Sequence, residues 1–475
     1  MNRLEELYDK LSEQRKWGTY HMGKYYFSIH TGRTRESLGL RNGDRGFSPE
    51  LQLQLQNENL EAIYHEYIHY VHEMSTLLGH LGLGLEIAAK AYFSNNFVID
   101  SKSCEVIANK DRERWNKIAE IFQTQFIWMG DTASKFEGRK FIRIESIKGV
   151  FETLYVPDGR DFIPFEIESP KVSYYVSENQ SAKIDSLMLG KFFIYEGIAY
   201  ELDRELERIK LGADDIQDQL DKTEYTVLRY VARFVFSEVK KETFLKVASM
   251  SLQYINPGFT FVTMLMTVKL DVEHGMSQES SVDSFKRQVS EKLRLTQEQV
   301  NAELAEYVKV YEKRPHLQKA FSYLTDQMKK LYTLRIENPT FEIDSAFSDN
   351  PLSIRQGTDM CDLMYIFEGE DSYCRDFLGT SIDIDTSIVL KAMLSYDHYH
   401  KCHQLHSTEQ VEREGDHACP FYHCCDLPYR RDHANLCATR PWRLYEVSMN
   451  TRRNFCWYGR GVAEFKGFVV SKDNL

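Results

Sequence analysis

The sequence predicts a mainly α fold with a small β element, which belongs to the α+β class. Apolar residues recur at helical spacing over long segments on both sides of one stretch, residues 140–177, in which short apolar runs are separated by turn residues. With 475 residues, the chain is also long enough for two or three domains whose cores need no disulfides. We therefore expect helices to build most of the protein.

The first clear elements lie near the N-terminus. Residues 51–56, LQLQLQ, alternate strictly between apolar and polar, which predicts a short half-buried strand. Residues 60–93 then show the apolar pattern of a long helix. This helix carries HEYIHYVHE, residues 65–73, in which three histidines and two glutamates lie among apolar neighbours.

The hydrophobic periodicity and the composition change several times along the rest of the chain. Helical periodicity returns over residues 181–211, and residues 214–335 are mostly helical and charged. Residues 336–359 have the Pro, Asn, Ser and Asp content of a linker or surface loop. A last apolar helix is expected around residues 361–396, before a Cys/His-rich tail at residues 397–460.

These changes divide the chain into three predicted regions. Residues 1–213 hold the HEYIHYVHE helix and the predicted strands of the α+β fold. Residues 214–345 form a charged helical region, and residues 346–475 combine a helical segment with a Cys/His-rich module. The candidate metal ligands therefore lie in the first and the last of these regions.

Composition and charge narrow the classes of function. The formal net charge of −12 argues against binding of the whole protein to nucleic acid or to an anionic membrane. The N-terminus lacks the apolar core of a signal peptide, and no run approaches the roughly 18 apolar residues of a membrane span. We therefore expect a cytoplasmic protein without a membrane partner. Nine cysteines, six of them after residue 400, favour metal ligation over a secreted disulfide framework.

The stretch at residues 65–73 contains the pattern H-E-x-x-H, formed by His65, Glu66 and His69. Residues four apart lie on one face of a helix, so the two imidazoles can bind one zinc ion. Glu66 lies about 100° further round the helix, where its carboxylate can take a proton from zinc-bound water. The simpler alternative is a helix with two surface histidines, but the apolar flanks predict a buried helix.

A catalytic zinc site needs a third protein ligand, and Glu196 is the best candidate. It lies in the sequence FFIYEGIA, whose apolar residues would make an unsatisfied carboxylate costly. The small residues Gly197 and Ala199 would let this helix approach another closely. The simpler alternative pairs Glu196 with Lys191 or Arg204 at a helix interface.

H-E-x-x-H followed by E-G-x-A on a later helix resembles the gluzincin group of zincin metallopeptidases. The resemblance covers about residues 50–210 and implies a zincin-like metalloprotease core. It also implies that His65, His69 and Glu196 bind the catalytic Zn²⁺ and that Glu66 is the general base. HEYIHYVHEMSTLLG is further similar to uncharacterised bacterial proteins that carry H-E-Y-x-H and a nearby S-T-x-x-G. A zinc peptidase that hydrolyses a protein or peptide substrate is the expected function.

Two features depart from that group. The gap of 127 residues between His69 and Glu196 is far longer than in compact gluzincins. The strands predicted within this gap are expected to bind an extended peptide by edge pairing. Group members often carry a carboxylate four residues after the ligand Glu, whereas Glu201 lies five after it and is an alternative ligand. His72 is another alternative ligand, although a hydrogen-bonding role beside the metal is preferred. Candidate donors to the tetrahedral oxyanion are tyrosines, namely Tyr174, Tyr175 and Tyr200.

The tail contains a second group of candidate metal ligands. Of the 59 residues from 398 to 456, thirteen are Cys or His. Thiolates favour zinc or an iron–sulfur cluster, so we expect a second, structural Zn²⁺ or alternatively a cluster. The expected ligands are Cys402, Cys419, Cys424 and Cys437, with Cys425 and Cys456 as competitors. The simpler alternative is a set of free cysteines that pack as small hydrophobes.

Seven arginines lie among aromatic residues within residues 428–460. Such a surface can bind nucleic acid, but the negative net charge favours docking of a regulatory protein. An active peptidase would endanger its own cell, so we expect a partner or ligand to control it. The rival hypothesis is a non-catalytic regulator that binds nucleic acid or protein and whose metal sites are structural.

Overall fold

Helices predominate in the described part of the chain, and three small sheets accompany them there, which confirms the α+β class. No helix within that part is long and apolar enough to cross a membrane. The structure is a computed structural model that describes residues 18–21, 26–30, 34, 36–38, 48–100, 102–104, 106–109, 128–131, 140–158, 161–178, 181–212, 223–348, 365–368, 375–378, 394–396, 398–399, 402, 418–422, 428–451 and 456–465.

Residues 51–56, for which a strand was expected, lie in the first of three consecutive helices. Two short strands precede them, β1 (Gly18–His21) and β2 (Tyr26–His30), and the helices are α1 (Pro49–Glu58), α2 (Leu60–Ser75) and α3 (Leu77–Asn96). The strand prediction is wrong because leucines at every second position also place Leu51 and Leu55 on one helix face. Ser48 fixes the start of α1, since its hydroxyl accepts the Leu51 N–H at 3.2 Å.

The stretch at residues 140–177 forms two long strands instead of four short ones. After the pair β3 (Phe97–Ile99) and β4 (Val106–Asn109), the chain builds β5 (Lys140–Asp158), β6 (Asp161–Glu178) and β7 (Ser181–Met188). β6 is the central strand and pairs antiparallel with both neighbours. The helix predicted from residue 181 therefore begins later, because residues 181–188 extend the sheet.

Helix α4 (Lys191–Leu211) packs against α2 and against α5 (Thr223–Val235). Gly197 permits the contact with α5, since a Cβ at this position would lie 2.5 Å from the Leu228 Cβ. α4 ends at Gly212, whose φ of 61° is a left-handed conformation that favours glycine. At Gly197, α4 therefore approaches α5 closely, as expected from the small residue.

The described residues in the middle of the chain are mostly helical, as predicted. Its further helices are α6 (Lys241–Ser251), α7 (Pro257–Glu273), α8 (Gln278–Lys309), α9 (Pro315–Glu337) and α10 (Phe341–Ala346). α9 packs against α2, and α10 packs against α4 and α6. The loop predicted over residues 336–359 is wrong at its start, because the short helix α10 buries Phe341 and Ile343 in the core.

The described C-terminal part combines a strand pair with short helices. These elements are β8 (Tyr365–Glu368), β9 (Arg375–Leu378), α11 (Pro428–Asp432), α12 (Ala434–Thr439), α13 (Leu444–Thr451) and α14 (Trp457–Phe465). The helix predicted around residues 361–396 is wrong at β8 and β9, because β8 pairs in parallel with β2 at the other end of the chain. α14 packs against α13 and α9.

Candidate metal centre

Helix α2 is buried along most of its length and carries both histidines of the H-E-x-x-H pattern. The prediction of a buried helix is therefore confirmed. His65 and His69 lie one turn apart, and their ring centroids are separated by 5.0 Å. His69 is buried and His65 is partly buried, so both imidazoles need specific partners.

Helix α4 brings Glu196 to the two histidines. The Oε2 atom of Glu196 lies 3.5 Å from His65 Nε2 and 3.6 Å from His69 Nε2. Among the described residues, these three form the only group of three or more potential ligands whose donor atoms all lie within 4.8 Å of one another. The side chains of His65 and Glu196 remain 14% and 15% exposed, so one side of the group is accessible to solvent.

The donor set and its spacing fit a zinc ion. Imidazole nitrogens and carboxylate oxygens bind zinc tetrahedrally at about 2.0–2.2 Å, which places neighbouring donor atoms roughly 3.4 Å apart. The two nitrogen–oxygen distances of 3.5 and 3.6 Å agree with this spacing. Three protein ligands leave a fourth position open, as catalytic zinc sites do. Because two histidines and a carboxylate also suit Fe(II), elemental analysis belongs to the test of this site.

The cations near Glu196 in the sequence have other carboxylate partners. Lys191 donates to Glu73 at 2.8 Å, which joins α4 to α2. Arg204 donates to Glu207 at 2.7 Å within α4. Glu196 instead lies against the two histidines, which favours the metal group over an ordinary salt bridge at a helix interface.

Glu201, the alternative ligand, lies outside the metal group. It is buried and forms ion pairs with Arg229 of α5 and with Lys241 at 3.2 Å. Five residues along an α-helix correspond to about 140° of rotation beyond a full turn, which explains why Glu196 and Glu201 face different neighbours. Glu201 therefore anchors α4 to α5 and α6.

The pKa values of two carboxyl groups of α4, those of Glu196 and Asp203, are shifted in opposite directions. Burial would raise the pKa of Glu196, but the charges and hydrogen bonds of His69 and His65 outweigh burial and hold that pKa well below its usual range. Burial raises the pKa of Asp203 to about 7, although the charge of His65 opposes this effect. Asp203 was not predicted, because a second carboxylate was expected four residues after Glu196, whereas Asp203 lies seven residues after it.

Glu66 is next to His65 in the sequence, but it does not belong to the metal group. It follows His65 on α2, is buried, and is not among the three converging ligands. Consecutive helical residues are about 100° apart around the axis. The role of Glu66 as the general base stays a prediction.

Tyr225, which was not predicted from the sequence, contacts the predicted ligand His65. The Tyr225 ring of α5 meets the His65 ring edge-on at 5.8 Å between centroids, and it stacks on Tyr200 at 5.4 Å. Of the tyrosines expected as oxyanion donors, Tyr174 is fully buried and Tyr175 lies beneath a guanidinium group of the sheet. Tyr225 escaped notice because only the packing of α5 on α4 brings it to the site.

His72 takes part in a buried polar network and not in the metal group. Burial lowers the pKa of His72 to about 4, although its hydrogen bond to Glu342 opposes the shift, so the imidazole is neutral. Its Nε2 lies 3.1 Å from Glu342 Oε1. Arg335 donates to the other oxygen of Glu342 at 2.7 Å and to the Ser75 hydroxyl at 2.7 Å. This network fixes α2 to α9 and α10.

The predicted C-terminal ligands are only partly described. Cys419 and Cys437 are buried and Cys402 is half-buried, whereas Cys424 lies outside the described residues. In the described segments of this region, no three potential ligand atoms lie within 4.8 Å of one another. The three described members of the expected set, Cys402, Cys419 and Cys437, therefore do not form a compact group by themselves.

No protein-family model, curated protein or solved structure matches the chain.

We expect Glu196→Ala to lower the affinity for zinc by at least 100-fold. The change removes one of three ligands, and loss of even an outer hydrogen-bond partner of a ligand costs roughly 10–100-fold. Affinity is measured by titration against a competing chelator. Glu207→Ala is the matched control, because Glu207 lies on the same helix and pairs with Arg204. Equal affinities of the two variants would exclude Glu196 as a ligand.

Proposed function

We propose that this protein is a zinc-dependent metallopeptidase that cleaves a specific protein or peptide substrate. His65, His69 and Glu196 hold the zinc ion, and Glu66 acts as the general base. The observation that supports this most strongly is the convergence of three donor atoms from two helices, within 4.8 Å, at an H-E-x-x-H sequence. The exposed side of the group leaves access for a substrate.

Each residue has a defined role in the proposed hydrolysis. A bound zinc ion would supply a coordinated water of pKa about 7 and an electrophile for the substrate carbonyl. Glu66 accepts a proton on its carboxylate and returns it to the leaving amine. Tyr225, whose ring contacts His65, is the preferred hydrogen-bond donor to the substrate carbonyl oxygen, which becomes negatively charged in the tetrahedral intermediate.

The three-stranded sheet offers a place for an extended substrate. β5 and β7 are its outer strands, and β7 ends two residues before α4, the helix that carries Glu196. Ile184 of β7 and Phe151 of β5 are 61% and 72% exposed. A peptide that adds to an outer strand would gain main-chain hydrogen bonds and contacts with these apolar side chains.

The test combines metal analysis with a search for cleavage. Zinc-loaded protein is incubated with a peptide library derived from a proteome, and the products are sequenced by mass spectrometry. We expect wild type to hold zinc at His65 and His69 and to cut at a defined sequence preference. The His65→Ala, His69→Ala double variant should lose that zinc and all cleavage, and chelation should stop the wild type until zinc is restored.

Other outcomes would contradict particular parts of the proposal. Bound zinc without cleavage of any peptide would favour the non-catalytic regulator with structural metal sites. Iron in place of zinc at the histidines would contradict the assigned metal. Rapid digestion of unfolded proteins without sequence preference would contradict both substrate specificity and control by a partner.

A further inference from the structure

Helices α2 and α4 lie side by side and run in opposite directions past the metal centre. Near the start of α4, Lys191 donates to Glu73 near the end of α2 at 2.8 Å. Further along α4, Asp203 interacts electrostatically with Glu61, near the start of α2, and with His65. Beyond its metal ligand, α4 therefore continues along the first turns of α2.

Asp203 is a buried carboxylate without a hydrogen-bond partner. Only 9% of the residue is exposed, and within the described part of the chain no hydrogen bond or salt bridge reaches its carboxylate. Arg204, the cation next to it in the sequence, donates instead to Glu207 at 2.7 Å. A buried carboxylate is costly unless a cation pairs with it. Asp203 therefore has the capacity to bind a positively charged group that comes from outside the chain.

Two further carboxylates lie near Asp203 and complete an acidic group of Glu61, Asp203 and Glu207. Burial raises the pKa of Asp203, and the negative charges of Glu61 and Glu207 raise it further. Glu61 is half-buried and 20% of the Glu207 side chain is exposed, so solvent reaches the acidic group. Among the described residues, these carboxylates do not form a group compact enough for a metal ion. Three carboxylates against the single guanidinium of Arg204 leave an excess of negative charge for an organic cation.

The distance between the acidic group and the metal ligands determines which kind of cation fits. Asp203 lies seven residues after Glu196, which is about 10 Å along a helix. The α-amine of a residue whose carbonyl binds the metal lies within about 4 Å of that carbonyl, so it falls short of Asp203. The long side chain of arginine or lysine spans most of the gap. Tyr200, which is half-buried and on the same helix face, provides a surface for its methylene groups.

We infer that Asp203, with Glu61 and Glu207 beside it, binds the positively charged side chain of the substrate residue whose carbonyl meets the metal. This inference rests on the proposed peptidase function and adds the class of substrate: peptides that are cleaved after arginine or lysine. Arginine is preferred, because its planar guanidinium can donate to more than one carboxylate. A zinc ion bound to His65 is the rival partner for the charge of Asp203, so the test must separate the two.

The test compares two metal-binding probes of the same shape, N-acetyl-arginine hydroxamate and N-acetyl-citrulline hydroxamate, of which only the first carries a positive side chain. Binding to the zinc-loaded full-length protein is measured by calorimetry. We expect wild type to bind the arginine probe roughly 10–100-fold more tightly, which is the contribution of a charge-assisted hydrogen bond. Asp203→Asn should abolish most of this preference, and Glu61→Gln should reduce it. Asp326→Asn is the matched control and should keep the preference, because Asp326 is an exposed aspartate of α9 that pairs with Lys329.

Asn keeps the shape of the side chain and removes an unpaired buried charge, so Asp203→Asn should fold as the wild type does. Equal binding of the two probes by wild type, or an unchanged preference in Asp203→Asn, would overturn the inference. Loss of zinc from Asp203→Asn would also overturn it, because the charge of Asp203 would then serve the metal. Weaker binding of the arginine probe than of alanine hydroxamate, whose only cation is its α-amine, would assign the acidic group to an amino terminus instead.

The peptide library separates this inference from the proposed peptidase function. We expect cleavage after arginine and lysine. Cleavage at a sequence preference without basic residues would overturn the inference and leave the peptidase function standing. Preferential binding of the arginine probe without cleavage of any peptide would support the cation subsite and contradict the peptidase function.

Discussion

Replacement of Glu66 by Gln is expected to lower kcat for peptide hydrolysis by roughly 10²–10⁴-fold, because the amide cannot accept the proton that the carboxylate takes. Zinc content should stay the same, since Glu66 is not among the three converging ligands. Gln keeps the size of the side chain, so this buried position should not lose its packing. Both quantities are measured on one preparation, with a peptide found in the library.

Glu58→Gln is the control for this experiment. Glu58 is an exposed carboxylate of α1, and it accepts a hydrogen bond from Gln54 at 2.8 Å. Its replacement should leave both hydrolysis and zinc content unchanged. If Glu66→Gln hydrolyses peptide as fast as the wild type, Glu66 is not the base. If zinc is lost together with activity, the role of Glu66 is to maintain the metal site.

Replacement of Arg335 by Met is expected to lower the free energy of unfolding by about 3–5 kcal/mol, because it leaves the Glu342 carboxylate buried without its guanidinium partner. Arg335 is completely buried and donates to Glu342, to Ser75 and to the Pro339 carbonyl. Met fills a similar volume, so the loss reflects charge and hydrogen bonds more than an empty cavity. Denaturation by urea measures the effect.

Two further variants make this result specific. Arg143→Met removes an exposed arginine whose ion pair with Glu145 spans 3.9 Å, and it should change the stability little. The double variant Arg335→Met, Glu342→Leu should recover part of the loss, because it removes the unpaired charge as well. Unfolding of Arg335→Met at the same urea concentration as the wild type would contradict a stabilising role for this network.

The sequence predicted those parts of the site that local spacing encodes. His65 and His69 lie one helical turn apart, so a five-residue pattern was sufficient to predict their pairing, while the role of Glu66 stays a prediction. Glu196 was found because a carboxylate among apolar residues needs a partner. Tyr225 and Asp203 were missed, since the first depends on the packing of α5 and the second on a spacing that was not considered.

The wrong predictions of secondary structure also arise because local sequence patterns do not reveal contacts with distant parts of the chain. Residues 51–56 satisfy a strand pattern and a helix pattern, and they form a helix that Ser48 caps at its start. Residues 365–368 form a strand because β2 lies beside them, a contact between opposite ends of the chain. The partners of His72 and Ser75 lie 270 and 260 residues away, so no local pattern could reveal Glu342 or Arg335.

The origin of the metal ligands on two separate helices has a mechanical consequence. An ion held by His69 of α2 and Glu196 of α4 would act as a cross-link between distant parts of the chain, with the three-stranded sheet inside the closed loop. Such a link reduces the conformational entropy of the unfolded chain, as a disulfide does, and more so for a long loop. Metal supply would therefore set the lifetime of the folded protein as well as its chemistry.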